Sequence, residues 1–300
     1  MQYITQSPNT QYNQQLRQLL QSQYNINALI NAQTSADTIE TLIIQLQHDI
    51  KQHRLNLPLF HRPQYKLVPV HSNQSIDVLL CNIQQYINLF EYNHIGKEFV
   101  VVDKSYNYTQ LCRLTQFIIS QSYPIKCLES VCIIQYLTRD YHDKLLRIPL
   151  RFKSICNSVE YWHIVLLVYN KQTRLYGTLG LSRRNTLSYY SCQYTTCSKL
   201  IQQYTESYRQ IGHTVHSITI GVSFPYKTKS IEPIYWKLLN IPNLWNVPND
   251  RLYTVIDEYM RCIESMELMI RSRYTCKLHT VLQQYCKVVK INNQFQIVLQ

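Results

Sequence analysis

The run YWHIVLLVYN (Tyr161–Asn170) constrains the fold more than any other stretch of this chain. It is β-branched and aromatic almost throughout. RLYGTLGLS (Arg174–Ser182) follows it across a four-residue NKQT-type connection, and the two together read as a β-hairpin. Setting Tyr169 opposite Arg174 puts His163 opposite Gly180. Ser182 is then the diagonal neighbour of His163 on the same face, within reach of a histidine side chain. A histidine on an apolar strand is more often a hydrogen-bonded core residue than a functional one, so the segments around the hairpin decide its reading.

Upstream the spacing is helical. PIKCLESV (Pro124–Val131) looks like the entrance of a helix, and Leu128, Val131, Cys132, Ile134 and Leu137 make it apolar enough for burial on most sides. Lys126 and Cys127 fall in its first turn. Free N–H groups, the positive end of the helix dipole and the Lys126 charge all favour the thiolate of Cys127, which is how a cysteine nucleophile is made. Cys132, one turn on, reads as an inert core thiol. Helices are also expected over Asp37–His53, Asp77–Leu89 and Tyr108–Ser120, and strands over EFVVVD (Glu98–Asp103) and HSITIGVSF (His216–Phe224). Residues from Arg251 to about Val288 read as closing helices.

Three regions follow. Residues 1–36 are rich in Gln and Asn without aliphatic periodicity, the composition of a disordered tail. Residues 37–90 form an N-terminal helical region, with LPLFHRPQYKLVPV (Leu57–Val70) as an extended proline-rich connector. Residues 91–290 hold the hairpin and the cysteine helix. Five glycines in 300 residues leave no Gly-rich phosphate loop. The ten cysteines include no CxxC pair; CKLH (Cys276–His279) near Cys286 is a weak zinc pattern, and neither a metal nor another cofactor is expected. A start reading MQYITQSPNT lacks signal-peptide character and no apolar run would span a membrane, so reduced thiols in the cytoplasm are expected. The formal net charge of +12 favours an acidic partner. Without an RNA-binding signature, nucleic acid is disfavoured.

A cysteine at a helix start, then a histidine on a strand, then a polar residue on the next strand is the order of papain-like and transglutaminase-like thiol enzymes. The expected class is therefore α+β, a transglutaminase-like or papain-like cysteine protease core with an antiparallel sheet, an N-terminal helical region and C-terminal helices. YNHIGKEF, PIKCLESV, PLRFKS, WHIVLLVYN, YGTLGLSRRNTL and SIEPIYWK together resemble the vasohibin family, cytosolic and microtubule-associated carboxypeptidases that remove the C-terminal tyrosine of tubulin tails. The resemblance runs from about Leu57 to about Ile270. It implies Cys127 as nucleophile, His163 as general base and acid, and Ser182 as nominal third member, with the backbone carbonyl of Leu187 as the other candidate to orient the imidazole. It implies Tyr92 as an oxyanion donor beside the thiol. Lys126 and Arg183 would hold the terminal carboxylate, and Lys104 and Lys153 would meet the acidic tail. It also implies a small helical vasohibin-binding chaperone, for which Asp37–His53 and Asp77–Leu89 offer a groove. The chain departs from the family in having Tyr106 and Trp162 where arginines are usual. Its connection between His163 and Ser182 is two residues longer, and one residue is added between Cys127 and Lys153. The rival readings are a thiol acyltransferase or isopeptidase on the same scaffold, and a non-catalytic basic binding module.

Overall fold

In the computed structural model the chain divides into two compact units, Met1–Gln64 and Tyr65–Gln300. The structure describes residues 75–94, 99–242, 244, 249–266, 286–291 and 294–299, together with Thr41 and His48, which are helical. The 1–36 tail, the remainder of the Asp37–His53 helix, the Leu57–Val70 connector and CKLH lie outside the described residues. All elements below belong to the second unit.

Three helices come first: α1 (Ile76–Ile87), α2 (Tyr108–Gln121) and α3 (Cys127–Leu137). The strands β1 (Leu145–Cys156), β2 (Val159–Asn170), β3 (Leu175–Leu179) and β4 (Tyr190–Tyr194) follow. After them come α4 (Cys197–Gln210), β5 (Thr214–Ile220), β6 (Leu239–Ile241), α5 (Asn249–Met266), β7 (Cys286–Ile291) and β8 (Gln294–Leu299). The strands form one sheet in the order β4-β3-β2-β1-β5-β6-β8-β7. Neighbours from β4 to β6 are antiparallel, and the antiparallel β7–β8 pair joins through a short parallel ladder between β6 and β8. The chain is thus an α+β protein.

The longest ladder of the sheet is the β1–β2 pair, in register from Leu145↔Asn170 to Cys156↔Val159. Asn157 and Ser158 close it with φ of 48° and 62°, the left-handed pair that a two-residue hairpin turn requires. Alternate residues feed two cores. Leu146, Ile148, Leu150, Phe152, Val165 and Leu167 pack with α4 and α5. Ile164, Leu166 and Val168 pack with α1, α2 and α3. Both faces of β2 are covered, which is why its sequence is a continuous apolar run instead of an alternation.

The hairpin register differs from the sequence expectation by two residues. Tyr169 faces Tyr176 and not Arg174, and the four-residue turn is Lys171–Arg174, one position later than NKQT. The Asn170 side chain sets this turn by accepting from the Gln172 N–H at 3.0 Å, and Arg174 closes it at φ 58°. A shift of two keeps every side chain on its face. Phe99–Asp103 is not a strand: Val100 and Val102 pack against the core and Val101 is 67% exposed, an alternation with no ladder. The closing region is helical only in α5 among the described residues, because Cys286–Ile291 pairs with Gln294–Leu299 as β7 and β8.

Candidate active site

Lys126 is the N-cap of α3, with extended backbone at φ −102° and ψ −177°, and Cys127 is the first helical residue. The Glu129 carboxylate accepts from the Lys126 N–H at 3.3 Å and so satisfies one donor of the helix start. The segment before it is fixed by Asn93 N–H to the Ile125 carbonyl, 2.8 Å, and by Ile125 N–H to the Glu91 carbonyl, 2.9 Å. This bridge sets Tyr92 against Ile125 and brings its phenol close enough to feel the Cys127 charge. Burial raises the Tyr92 phenol above its ordinary value, as does Cys127, while Arg183 draws it down. Tyr92 therefore stays a proton donor. The Arg183 guanidinium lies 5.7 Å from the Tyr92 ring centroid.

The β2–β3 ladder ends at Leu166↔Leu179. Beyond it, the backbone N–H of Ile164 is directed to the Cys127 sulfur, joined by those of Cys127 and Leu128. These donors draw the thiol down, but burial outweighs them and, with Glu129, pushes it above its ordinary value. Desolvation at the helix start thus works against the thiolate that the helix dipole and Lys126 favour. His163 is displaced the other way. Burial pushes its imidazole down to about 4, against a raising contribution from Leu187. His163 Nε2 lies 2.8 Å from the Leu187 carbonyl. A carbonyl only accepts, so Nε2 carries the proton and Nδ1 is left as the base.

Ser182 is not a partner of that imidazole. Its hydroxyl accepts from the Arg184 N–H at 3.2 Å, within its own loop. Cys127 and His163 line a single cavity of about 320 Å³, together with Lys104, Lys126, Arg151 and Trp162. Tyr92 and Arg183 are not part of this wall, and neither is Lys153, which is ion-paired with Glu160. Sequence reasoning missed Arg151, whose only signal was a basic residue within an apolar strand. It also missed Ser130, which donates to the Cys127 carbonyl at 2.7 Å and accepts from the Leu181 N–H at 3.2 Å. Gln84 of α1 holds both backbone groups of Gly180, at 2.9 and 3.1 Å. Helices α1 and α3 and the loop carrying Leu187 are thereby tied together.

The arrangement offers a thiol, an imidazole with one nitrogen fixed, a phenol and several cations. The sequence pattern named Vasohibin matches residues 29–264. Over 155 residues the chain is 36% identical to Tubulinyl-Tyr carboxypeptidase 1 of Mus musculus, an alignment covering 52% of this chain and 40% of that protein. The chain therefore spans less than half of that relative's length. With the family pattern running over α3, the hairpin and most of α5, this chain belongs to the vasohibin family.

Proposed function

We propose that this chain is a cysteine carboxypeptidase that removes the C-terminal tyrosine from the acidic tail of α-tubulin. The observation that carries the reading is the tethering of His163 Nε2 to the Leu187 carbonyl, which leaves Nδ1 as the base in the cavity that Cys127 lines. Burial pushes both groups toward their neutral forms, and in this reading the nucleophile is generated during attack. Nδ1 takes the proton of Cys127 Sγ as the sulfur bonds to the carbonyl carbon of the last peptide bond. The resulting oxyanion accepts from the Cys127 N–H and the Tyr92 hydroxyl. The imidazolium returns its proton to the departing tyrosine amine as the C–N bond breaks, leaving a thioester. Water, deprotonated by the same Nδ1, then cleaves the thioester and restores the thiol.

Lys126 and Arg183 supply exopeptidase selectivity in this reading. A free terminal carboxylate pairs with both, whereas an internal amide offers neither cation a charge. Lys104 and Lys153 extend the positive surface toward the preceding glutamates. The wall formed with Arg151 favours an acidic substrate over a neutral one. The test is to incubate the purified full chain with tyrosinated microtubules and follow the terminal tyrosine by immunoblot and mass spectrometry. Loss of one tyrosine per α-tubulin tail, abolished by Cys127→Ala, is expected. Intact tails with the active chain would overturn the reading.

A further inference from the structure

Arg151 sits on β1 opposite Ile164 and faces the cavity that holds Cys127 and His163. Its guanidinium stacks on Trp162, 3.8 Å from the ring centroid. Such stacking fixes the guanidinium plane and leaves its edge N–H groups for an acceptor lying in that plane. Among the described residues no carboxylate pairs with it. The adjacent Lys153, 5.2 Å from the same ring, already has Glu160. Burial draws Arg151 below its ordinary value. Lys237 is drawn down as well, first by burial and then by Arg151 itself. The cavity wall thus holds Arg151 with Lys104 and Lys126 against a single carboxylate, Glu129, which accepts from the Lys126 N–H. Desolvation and repulsion both oppose this arrangement, and a carboxylate entering from outside relieves both.

We propose that Arg151, braced on Trp162, is a carboxylate subsite that takes an acidic side chain of the substrate within the two residues before the scissile bond. This rests on the carboxypeptidase reading for the position of the scissile bond. The terminal carboxylate belongs with Lys126 and Arg183. Lys126 lines the same cavity as Arg151, whereas Arg183 stands beside Tyr92 off that wall, and in this reading Arg183 and Arg151 take the two anions of the substrate separately.

The full chain carrying Cys127→Ala is titrated with fluorescent peptides ending Glu-Glu-Tyr, Gln-Glu-Tyr and Glu-Gln-Tyr, and fluorescence anisotropy gives Kd. One Gln replacement should weaken binding about tenfold to a hundredfold, the range of a charge-assisted contact. Arg151→Met keeps the stem on Trp162 and removes the charge. It should erase that preference while leaving the affinity for the Gln peptide unchanged within about twofold. Arg151→Lys should keep part of the preference, which shows that the site is still formed. With Cys127 intact, Arg151→Met should act through KM, with kcat within about twofold. Equal weakening of Glu and Gln peptides by Arg151→Met, or a Glu preference that survives it, overturns the subsite. Binding discrimination without cleavage of any peptide by the intact chain leaves the subsite standing and removes the carboxypeptidase reading instead.

Discussion

Cys127 and His163 are both pushed toward their neutral forms by burial, which sets how each should respond to pH and reagents. A thiol raised above its ordinary value alkylates slowly at neutral pH and faster as pH climbs. Cys127 lines an open cavity, whereas Cys112, Cys132 and Cys197 are buried, so iodoacetamide should modify Cys127 before these three and stop turnover. Labelling led by Cys132 would exclude Cys127 as nucleophile. For His163 the folded value of about 4 lies below the unfolded value of about 6.5. Between those values the unfolded chain binds more protons, so the contribution of His163 to stability is full above pH 6.5 and is lost as pH falls toward 4. Denaturant unfolding should show wild type losing on the order of 3 kcal/mol more than His163→Gln between pH 7 and pH 4. In activity, His163→Ala should cost about a thousandfold or more, while Ser182→Ala should stay within about tenfold, because the Leu187 carbonyl orients the ring. Equal losses would return the orienting role to the serine.

Among the elements, α3, the loop after β3 and α1 act as one assembly through Ser130 and Gln84. Ser130→Ala removes the bond to the Cys127 carbonyl and orphans the buried Leu181 N–H, a cost of about 1–3 kcal/mol. Its effect on catalysis should exceed its effect on stability, because the same loop carries Leu187 to His163. Activity lost in proportion to folded fraction alone, by circular dichroism, would reduce Ser130 to a packing role. This coupling is invisible in sequence, since Ser130 and Leu181, or Gln84 and Gly180, meet only once the sheet has formed. What could be read locally was α2, expected over Tyr108–Ser120 and found over Tyr108–Gln121, and α3 with Cys127 at its start. The hairpin was legible as a hairpin, but its register depended on the Asn170 side chain folding back over the turn. Strand β1 was missed because Arg147, Pro149, Arg151 and Lys153 interrupt its apolar pattern. In the fold each is accommodated: Arg147 donates to the carbonyls of Gln135, Phe224 and Pro225, Pro149 lies just before the β5 ladder begins at Leu150↔Ile220, and the other two cations flank Trp162. Phe99–Asp103 of EFVVVD failed as a strand because it pairs with no strand among the described residues, which the segment itself does not reveal.

At the scale of the whole molecule, a net charge of +12 acts over a different range from the cations at the cavity. Exposed charge attracts an acidic tail over a distance set by salt, about 10 Å at 0.1 M and about 3 Å at 1 M. Contacts made inside a partly desolvated wall are screened much less. Two observables should therefore separate. For a peptide ending Glu-Glu-Tyr, raising NaCl from about 0.05 to 0.5 M should lower kcat/KM about tenfold, almost entirely through KM. A C-terminally amidated twin should start roughly a hundredfold worse, because each charge-assisted bond to the carboxylate contributes about 1.5–3 kcal/mol. The ratio of acid to amide should change little across the same salt range, since in the proposed reading it is set by Lys126 and Arg183 and not by the distant field. Arg183→Ala should lower the rate on the acid and barely alter the rate on the amide, which has already lost that contact. If salt instead collapses the acid-to-amide ratio along with the rate, the discrimination belongs to the general positive field, and the two residues flanking Cys127 do not form a carboxylate clamp. If acid and amide are cut equally at every ionic strength, the chain processes internal bonds, and the vasohibin scaffold here serves an endopeptidase or a transferase.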